Sequence, residues 1–233
     1  MRRLARPARW RRTVPRRVMA HGFTTLKEMG LTPFAQAFCA AGFAVLTFDY
    51  RGFGASSGDE RHELVPADQL DDYRNAISFL AARPGVDGER IGLWGTSYSG
   101  GHVLHLAAYD RRVKAVVAQV PFVDGLSNLL FLSGPEGLAA TEVMLGQARS
   151  HRYHRGEIAY LPVVAPEGEV CALPTPDAFE WFSRLGAGNP AWENRVSLES
   201  MARTLEYSPA AHIEHVSPTP LLMIVATDDG VTP

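Results

Sequence analysis

The chain has 233 residues, 46% of them apolar and 21% charged, which suits one large globular domain or two small ones. Its 23 basic and 25 acidic residues leave a net charge of −2, which excludes an overall nucleic-acid-binding or membrane-surface character. No run approaches the roughly 18 apolar residues of a membrane span, and Cys39 and Cys171 are too few for a disulfide framework and lack metal-ligand spacing, so a cytoplasmic protein with buried thiols and no metal is expected.

The charge is unevenly placed. Residues 1–17 hold eight arginines and no acid, leaving 15 basic against 25 acidic residues in the remainder. That segment has no interleaved aromatic or repeat pattern to organise phosphate binding, and reads as a disordered or mis-framed leader. Lys27 and Lys114 are the only lysines beside 21 arginines, a bias typical of GC-rich coding DNA.

From Val18 onward, apolar runs and helical patterns alternate. Val18–His21 is a short strand; Pro33–Ala41 has helical spacing and stops at Gly42; Phe43–Phe48 is a continuous apolar run, the pattern of a strand buried on both faces. Pro66–Ala82 places Leu70, Tyr73, Ala76, Ile77, Leu80 and Ala81 on one helical face, with Pro66 in the first turn. Ile91–Trp94 is a strand, a helix runs to about Tyr109, and Val113–Val120 and Leu221–Ala226 are further strands. Strand and helix in this order predict an α/β fold with a mostly parallel sheet flanked by helices. Residues 121–217 break the rhythm. Their amphipathic pieces near Leu138–Ala148, Asp177–Leu185 and Leu198–Glu206 predict a mainly helical cap inserted into a core of residues 18–120 and 218–233.

The chemistry centres on Gly95-Thr96-Ser97-Tyr98-Ser99-Gly100-Gly101, between a strand end and a helix start. A serine in such a turn is held above the sheet near a helix N-terminus, as in a nucleophile elbow, so Ser97 is the candidate nucleophile. Ser99 stands where the G-x-S-x-G pattern has its last glycine. A developing oxyanion needs two N–H donors, and Tyr98, just after the serine, and Phe23, in the His21-Gly22-Phe23 turn after the first strand, are the candidates. His21 is expected to brace that turn. Past the last strand, Asp229 is preferred as the acid over Asp228 because Asp229-Gly230-Val231-Thr232-Pro233 resembles a D-x-x-x-P turn; Asp124 is the reserve acid.

Four stretches carry a family resemblance: M-A-H-G-F-x-x-x-K-E-M-G, F-D-Y-R-G-F-G-A-S, L-W-G-T-S-Y-S-G-G-H-V-L and V-P-F-V-D-G. Together they resemble the α/β-hydrolase superfamily, most of all the branch of fungal polyketide transferases and thiohydrolases and their bacterial relatives, near the Xaa-Pro dipeptidyl-peptidase-like and dienelactone hydrolases. The resemblance runs from about Val18 to Gly125 and resumes at Pro218–Pro233. It implies a cap inserted after the sixth strand of the family fold. It also implies a serine hydrolase cleaving small-molecule esters or thioesters through an acyl-enzyme, with Ser97 as nucleophile, Asp229 as acid and Phe23 and Tyr98 as oxyanion donors.

The family's general base is a histidine in a G-x-H loop past the acid, whereas the sequence ends at Pro233. The base, with the family's last strand and helix, is therefore expected outside these residues, as are the strands that ordinarily precede M-A-H-G-F. None of His62, His102, His105, His151, His154, His212 or His215 is read as that base. The alternatives are acyl or polyketide transfer by the same triad, and a catalytically inactive pseudo-hydrolase. No cofactor, nucleic acid or membrane partner is called for.

Overall fold

The computed structural model describes residues 3–5, 14–84 and 86–232. Its centre is a six-stranded sheet built from β1 (Arg3–Ala5), β2 (Val14–Ala20), β3 (Ala44–Thr47), β4 (Val86–Thr96), β5 (Val113–Gln119) and β8 (Leu221–Ile224), in the order β1-β3-β2-β4-β5-β8. β1 pairs antiparallel with β3, and every other pairing in the sheet is parallel. The α/β expectation therefore holds.

Alternation along the strands separates two apolar layers. Met19, Val45 and Trp94 face α1 (Leu31–Ala40) with Leu31. Val18, Ala20, Leu46 and Leu93 join the opposite layer, where α2 (Pro66–Ala81) contributes Tyr73, Ile77 and Leu80 and α3 (Tyr98–Tyr109) contributes Val103, Leu104 and Leu106. Gly42 ends α1 as the sequence suggests: at φ +90° its N–H donates to the Cys39 carbonyl at 3.0 Å, the Phe43 N–H to that of Phe38 at 3.0 Å, and the Phe38 and Phe43 rings meet edge to face.

Two expectations need correction. An antiparallel strand, Arg3–Ala5, precedes β2, and β2 begins at Val14, so residues 3–5 and 14–17 of the supposed leader belong to the sheet; the other residues of 1–17 lie outside those described. Arginines are compatible with this placement because their aliphatic stems can lie along apolar surface. Arg17 stacks over the Phe38 and Phe43 rings at 4.4 and 4.5 Å, and Arg16 is only 1% exposed.

Residues 121–217 contain α4 (Gly125–Arg155, broken at Gly134), α5 (Pro176–Ala187), α6 (Leu198–Leu205) and a 3₁₀ segment (Pro209–Val216), with a two-stranded ladder of β6 (Tyr160–Leu161) and β7 (Val196–Ser197). Arg152 of α4 and Arg203 of α6 converge on Glu63, in the loop before α2, and fasten this layer to the sheet domain. Burial would raise the Glu63 carboxyl, but its hydrogen bonds, those to Arg203 and Arg152 among them, bring it down to about 2.

Candidate active site

β4 delivers Ser97 to the carboxyl edge of the parallel strands, where ligand crevices of open α/β sheets form. Ser97 has φ 53° and ψ −120°, a conformation that costs an L-residue on the order of 1–3 kcal/mol. Three backbone bonds hold it there: its N–H donates to Gln119 at 2.9 Å, and its carbonyl accepts from Phe122 at 2.9 Å and from Gly101 at 3.3 Å. The turn closes so tightly that a Cβ on Gly95 would lie 2.0 Å from the Ser99 carbonyl oxygen. Glycine at 95 is a steric requirement of the elbow.

The His21-Gly22-Phe23 turn lies directly against the serine. A Cβ on Gly22 would sit 3.1 Å from Ser97 Cβ and 3.4 Å from its Oγ. The Gly22 carbonyl accepts from His21 Nδ1 at 3.1 Å and from the Thr25 hydroxyl at 3.2 Å. Because a trans peptide points its C=O and N–H in opposite directions, these bonds aim the Phe23 N–H away from them. That N–H has no hydrogen-bond partner among the described residues, and neither has the Tyr98 N–H at the first position of α3.

Beneath this turn is a buried charge cluster. Asp49 Oδ1 accepts from the Lys27 backbone N–H at 2.9 Å and lies 4.0 Å from His21 Nε2, and its Oδ2 accepts from Lys27 Nζ. Burial alone would raise the Asp49 carboxyl, but His21 and the bonds from Lys27 outweigh it and hold it below its ordinary range. Burial pushes the His21 imidazole down, consistent with a bracing role.

Ser97 opens onto a cavity of about 480 Å³. Phe23, Met29, Phe34 and Trp94 line it from the sheet domain, and α4, α5 and α6 close it with residues that include Leu129, Leu132, Trp181, Phe182 and Met201. Among the described residues, Asp177 is the only charged one lining it, and no histidine does.

Asp229 sits in a turn whose backbone caps its carboxylate: Oδ1 accepts from the Val231 and Thr232 N–H groups at 2.9 and 2.7 Å, and the Thr232 hydroxyl is 3.1 Å from Oδ2. Val231 and Thr232 line the cavity with Ser97, so the turn reaches the site although Asp229 does not line it. Asp228 is exposed. Asp124, the reserve acid, is the N-cap of α4, where it accepts from the Ser127 N–H at 2.8 Å. That bond and others hold its carboxyl below the usual range, so helix capping accounts for it.

None of the eight histidines hydrogen-bonds Ser97. His62 faces Glu193 at 3.1 Å, His151 faces Glu157 at 3.0 Å, His154 bonds the Ser150 carbonyl and His212 bonds Tyr109. His105 and His215 pack at a tilt against the Tyr109 ring. His102 is fully buried, with Nε2 2.8 Å from Gln69 Oε1 and Nδ1 2.8 Å from the Tyr207 hydroxyl. The carbonyl oxygen of Gln69 only accepts, so Nε2 carries the proton and Tyr207 donates to Nδ1.

Burial brings His102 down to about 3 and, aided by His212, His105 down to about 4. The unfolded chain takes up these protons near 6.5, so the stability contribution is full above that value and shrinks as pH falls towards 4. The thermal midpoint is therefore expected to drop steadily between about pH 7 and 4.5, and His102→Gln is expected to flatten that profile; an unchanged slope in the variant would remove His102 from the account.

Sequence reasoning missed the Lys27–Asp49 pair, Thr25 and most of the cavity wall. One signal was present: Lys27 is one of only two lysines in a chain that otherwise uses arginine. Among the described residues there is no group of three His, Cys, Asp or Glu able to hold a metal, and no helix long and apolar enough to cross a membrane.

Comparison with known proteins accords with this geometry. The family model of X-Pro dipeptidyl-peptidase (S15 family) matches residues 3–207. The quorum-quenching protein AidA of Acinetobacter baumannii is 34% identical over 224 residues, covering 94% of this chain and 71% of AidA. Thiohydrolase aneE of Aspergillus aculeatus is 31% identical over 230 residues, covering 94% of this chain and 70% of aneE. The crystal structure of the α/β hydrolase GrgF from Penicillium sp. sh18 superposes with a TM-score of 0.81 at 28% identity, covering 96% of this chain and 75% of GrgF. A parallel sheet ending in a strained serine turn and a family match over most of its length lead to one assignment: the chain belongs to the X-Pro dipeptidyl-peptidase family of α/β hydrolases, in the branch that includes fungal polyketide transferases and thiohydrolases.

Proposed function

We propose that this protein cleaves small-molecule esters or thioesters through an acyl-enzyme on Ser97. The observation that carries the reading is the placement of Ser97: a strained elbow, an apolar cavity in front of it, and the backbone of Gly22 against its hydroxyl. In the reaction, the Ser97 Oγ–carbon bond forms while a histidine takes the hydroxyl proton. The Phe23 and Tyr98 N–H groups receive the charge that develops on the carbonyl oxygen. The alcohol or thiol departs with the histidine's proton; water then attacks, the histidine returns a proton to Ser97 Oγ, and the free acid leaves. An alcohol in place of water makes the same cycle a transferase.

Asp229 is assigned as the residue that orients the histidine. The histidine itself is assigned outside these residues, in the part of the relatives' length that the chain does not span. In this reading residues 121–217 act as the cap over a core formed by the remaining sheet and helices, with the core boundary moved from Val18 to Val14 by β2. The inclusion of thioesters is supported by relatives such as thiohydrolase aneE.

The test is pre-steady-state hydrolysis of neutral p-nitrophenyl esters and acyl thioesters by the full product of the gene. A burst of leaving group stoichiometric with enzyme, followed by slower turnover, is expected. A second reading, the inactive pseudo-hydrolase, is favoured by the cavity's lack of histidine, and a folded protein with neither burst nor turnover would establish it. Gly22→Ala provides a narrower check. The added methyl must push the turn a few tenths of an ångström from Ser97, and kcat is expected to fall roughly tenfold or more with little change in thermal midpoint; wild-type kcat in this variant would contradict the placement of the turn.

A further inference from the structure

The departure from the elbow motif at Ser99 has a partner set of its own. Ser99 is fully buried, the second residue of α3, and its hydroxyl makes two bonds. It donates to the His21 carbonyl, and it lies 2.5 Å from the Tyr50 hydroxyl. A serine has a single proton to give, and the carbonyl can only accept. The proton of the second bond must therefore come from Tyr50, which fixes a one-way chain from Tyr50 through Ser99 to the carbonyl of residue 21. Tyr50 is itself immobilised: it is 1% exposed and its ring meets His21 and Phe48 edge to face at 5.0 and 5.1 Å.

Gly22 separates two peptide planes. The plane between residues 21 and 22 is held by Ser99 at its carbonyl, and the plane between 22 and 23 is held at its carbonyl by Thr25 and the His21 ring. Glycine is the residue about which adjacent planes turn most freely, so a turn built on it needs both planes fixed if the Phe23 N–H is to stay aimed at the serine. Ser99 holds the upstream plane from the helix that starts directly after Ser97, so the nucleophile and the turn opposite it move as one body.

We propose that Ser99 is a positioning residue that sets the orientation of the Phe23 N–H, with Tyr50 orienting the Ser99 hydroxyl. A glycine at this position, as the common motif has it, would leave both the His21 carbonyl and the Tyr50 hydroxyl without this partner. The inference rests on the serine-hydrolase reading above.

The test compares Ser99→Ala with Tyr73→Phe in the full product of the gene. Tyr73 is equally buried; its hydroxyl donates to the Trp94 carbonyl at 2.8 Å and bonds the Ala20 backbone, but holds neither of the two carbonyls that fix the turn, so its variant also loses buried hydroxyl bonding. Steady-state kinetics on a neutral p-nitrophenyl ester are expected to show kcat reduced about ten- to a hundredfold in Ser99→Ala with KM within about twofold, since a displaced oxyanion donor acts on the transition state. Tyr73→Phe is expected to keep the wild-type kcat per folded molecule. Thr25→Val, which removes one of the two bonds on the downstream plane, is expected to lower kcat in the same direction and serves if Ser99→Ala does not fold. Wild-type kcat in a folded Ser99→Ala, or in Thr25→Val where Ser99→Ala is unfolded, would overturn the inference while leaving the serine-hydrolase reading intact. A wild type without burst or turnover would overturn both.

Discussion

Replacing Ser97 by alanine is expected to lower kcat for ester and thioester hydrolysis by roughly 10⁴–10⁶-fold, the scale seen when the nucleophile of an acyl-enzyme mechanism is removed. The size follows from chemistry rather than from binding. The cavity wall is made by Phe23, Trp94, Phe182 and their neighbours, and none of these contacts depends on the serine hydroxyl. Binding of a non-hydrolysable acyl analogue should therefore survive the substitution with Kd within a few-fold of the parent. Alanine also tests the fold: the strained φ of 53° at this position is imposed by the bonds to Gln119 and Phe122, which are backbone bonds and remain in the variant. A thermal midpoint close to the parent's, together with lost turnover, is the expected pair of results. Loss of turnover below tenfold would mean that another nucleophile carries the reaction.

The largest stability effect is expected at Asp49. Its carboxylate and the Lys27 ammonium are both buried, with 2% and 6% of their side chains exposed, and removing Asp49 leaves the buried ammonium with only the exposed Glu28 carboxylate, at 3.3 Å. Asp49→Ala is expected to cost about 3–5 kcal/mol, which corresponds to a fall of roughly 10 °C in the thermal midpoint for a chain of this size. The double variant Asp49→Ala, Lys27→Met should recover much of that loss, because it removes the stranded charge instead of leaving it uncompensated. Single and double variants of equal stability would show that the pair is not coupled. The same carboxylate links stability to pH. Its folded-state value lies below the ordinary 3.8, so its contribution is complete above about pH 4 and is lost as pH falls through the lower folded-state value. This acid transition should be missing in Asp49→Ala.

The parallel sheet and the elbow were legible because both are written locally. Apolar runs such as Phe43–Phe48 and Val113–Val120 identify strands buried on both faces, and Gly95 is required by its contact with Ser99 four residues on, although Gly100 and Gly101 are required by Pro121 and Phe122 past the next strand. Strand β1 and the start of β2 were not legible. Arg16 and Arg17 read as part of a charged leader, and only the fold shows that β2 buries Arg16 and carries Arg17 past the Phe38 and Phe43 rings. The Lys27–Asp49 pair and the Tyr50–Ser99 bond were also hidden, since they join residues 22 and 49 positions apart in elements that meet only when the sheet closes. Asp124 illustrates the opposite case. A carboxylate after a strand end fits a catalytic acid in sequence, but the same position is the N-cap of α4, and the cap bond to Ser127 is what the fold makes of it. The cavity wall depends on the break at Gly134, where φ is +67°, and on the approach of α5 and α6, neither of which a helical periodicity records.

The central claim is that Ser97 is the nucleophile, and active-site titration with an alkyl fluorophosphonate tests it most directly. The full gene product is incubated with the probe, digested and mapped by mass spectrometry, with Ser97→Ala in parallel. The expected result is a single adduct on the peptide that carries Gly95-Thr96-Ser97-Tyr98, formed stoichiometrically and absent from Ser97→Ala. A folded protein that stays unlabelled, or an adduct on any other residue that persists in Ser97→Ala, would contradict it.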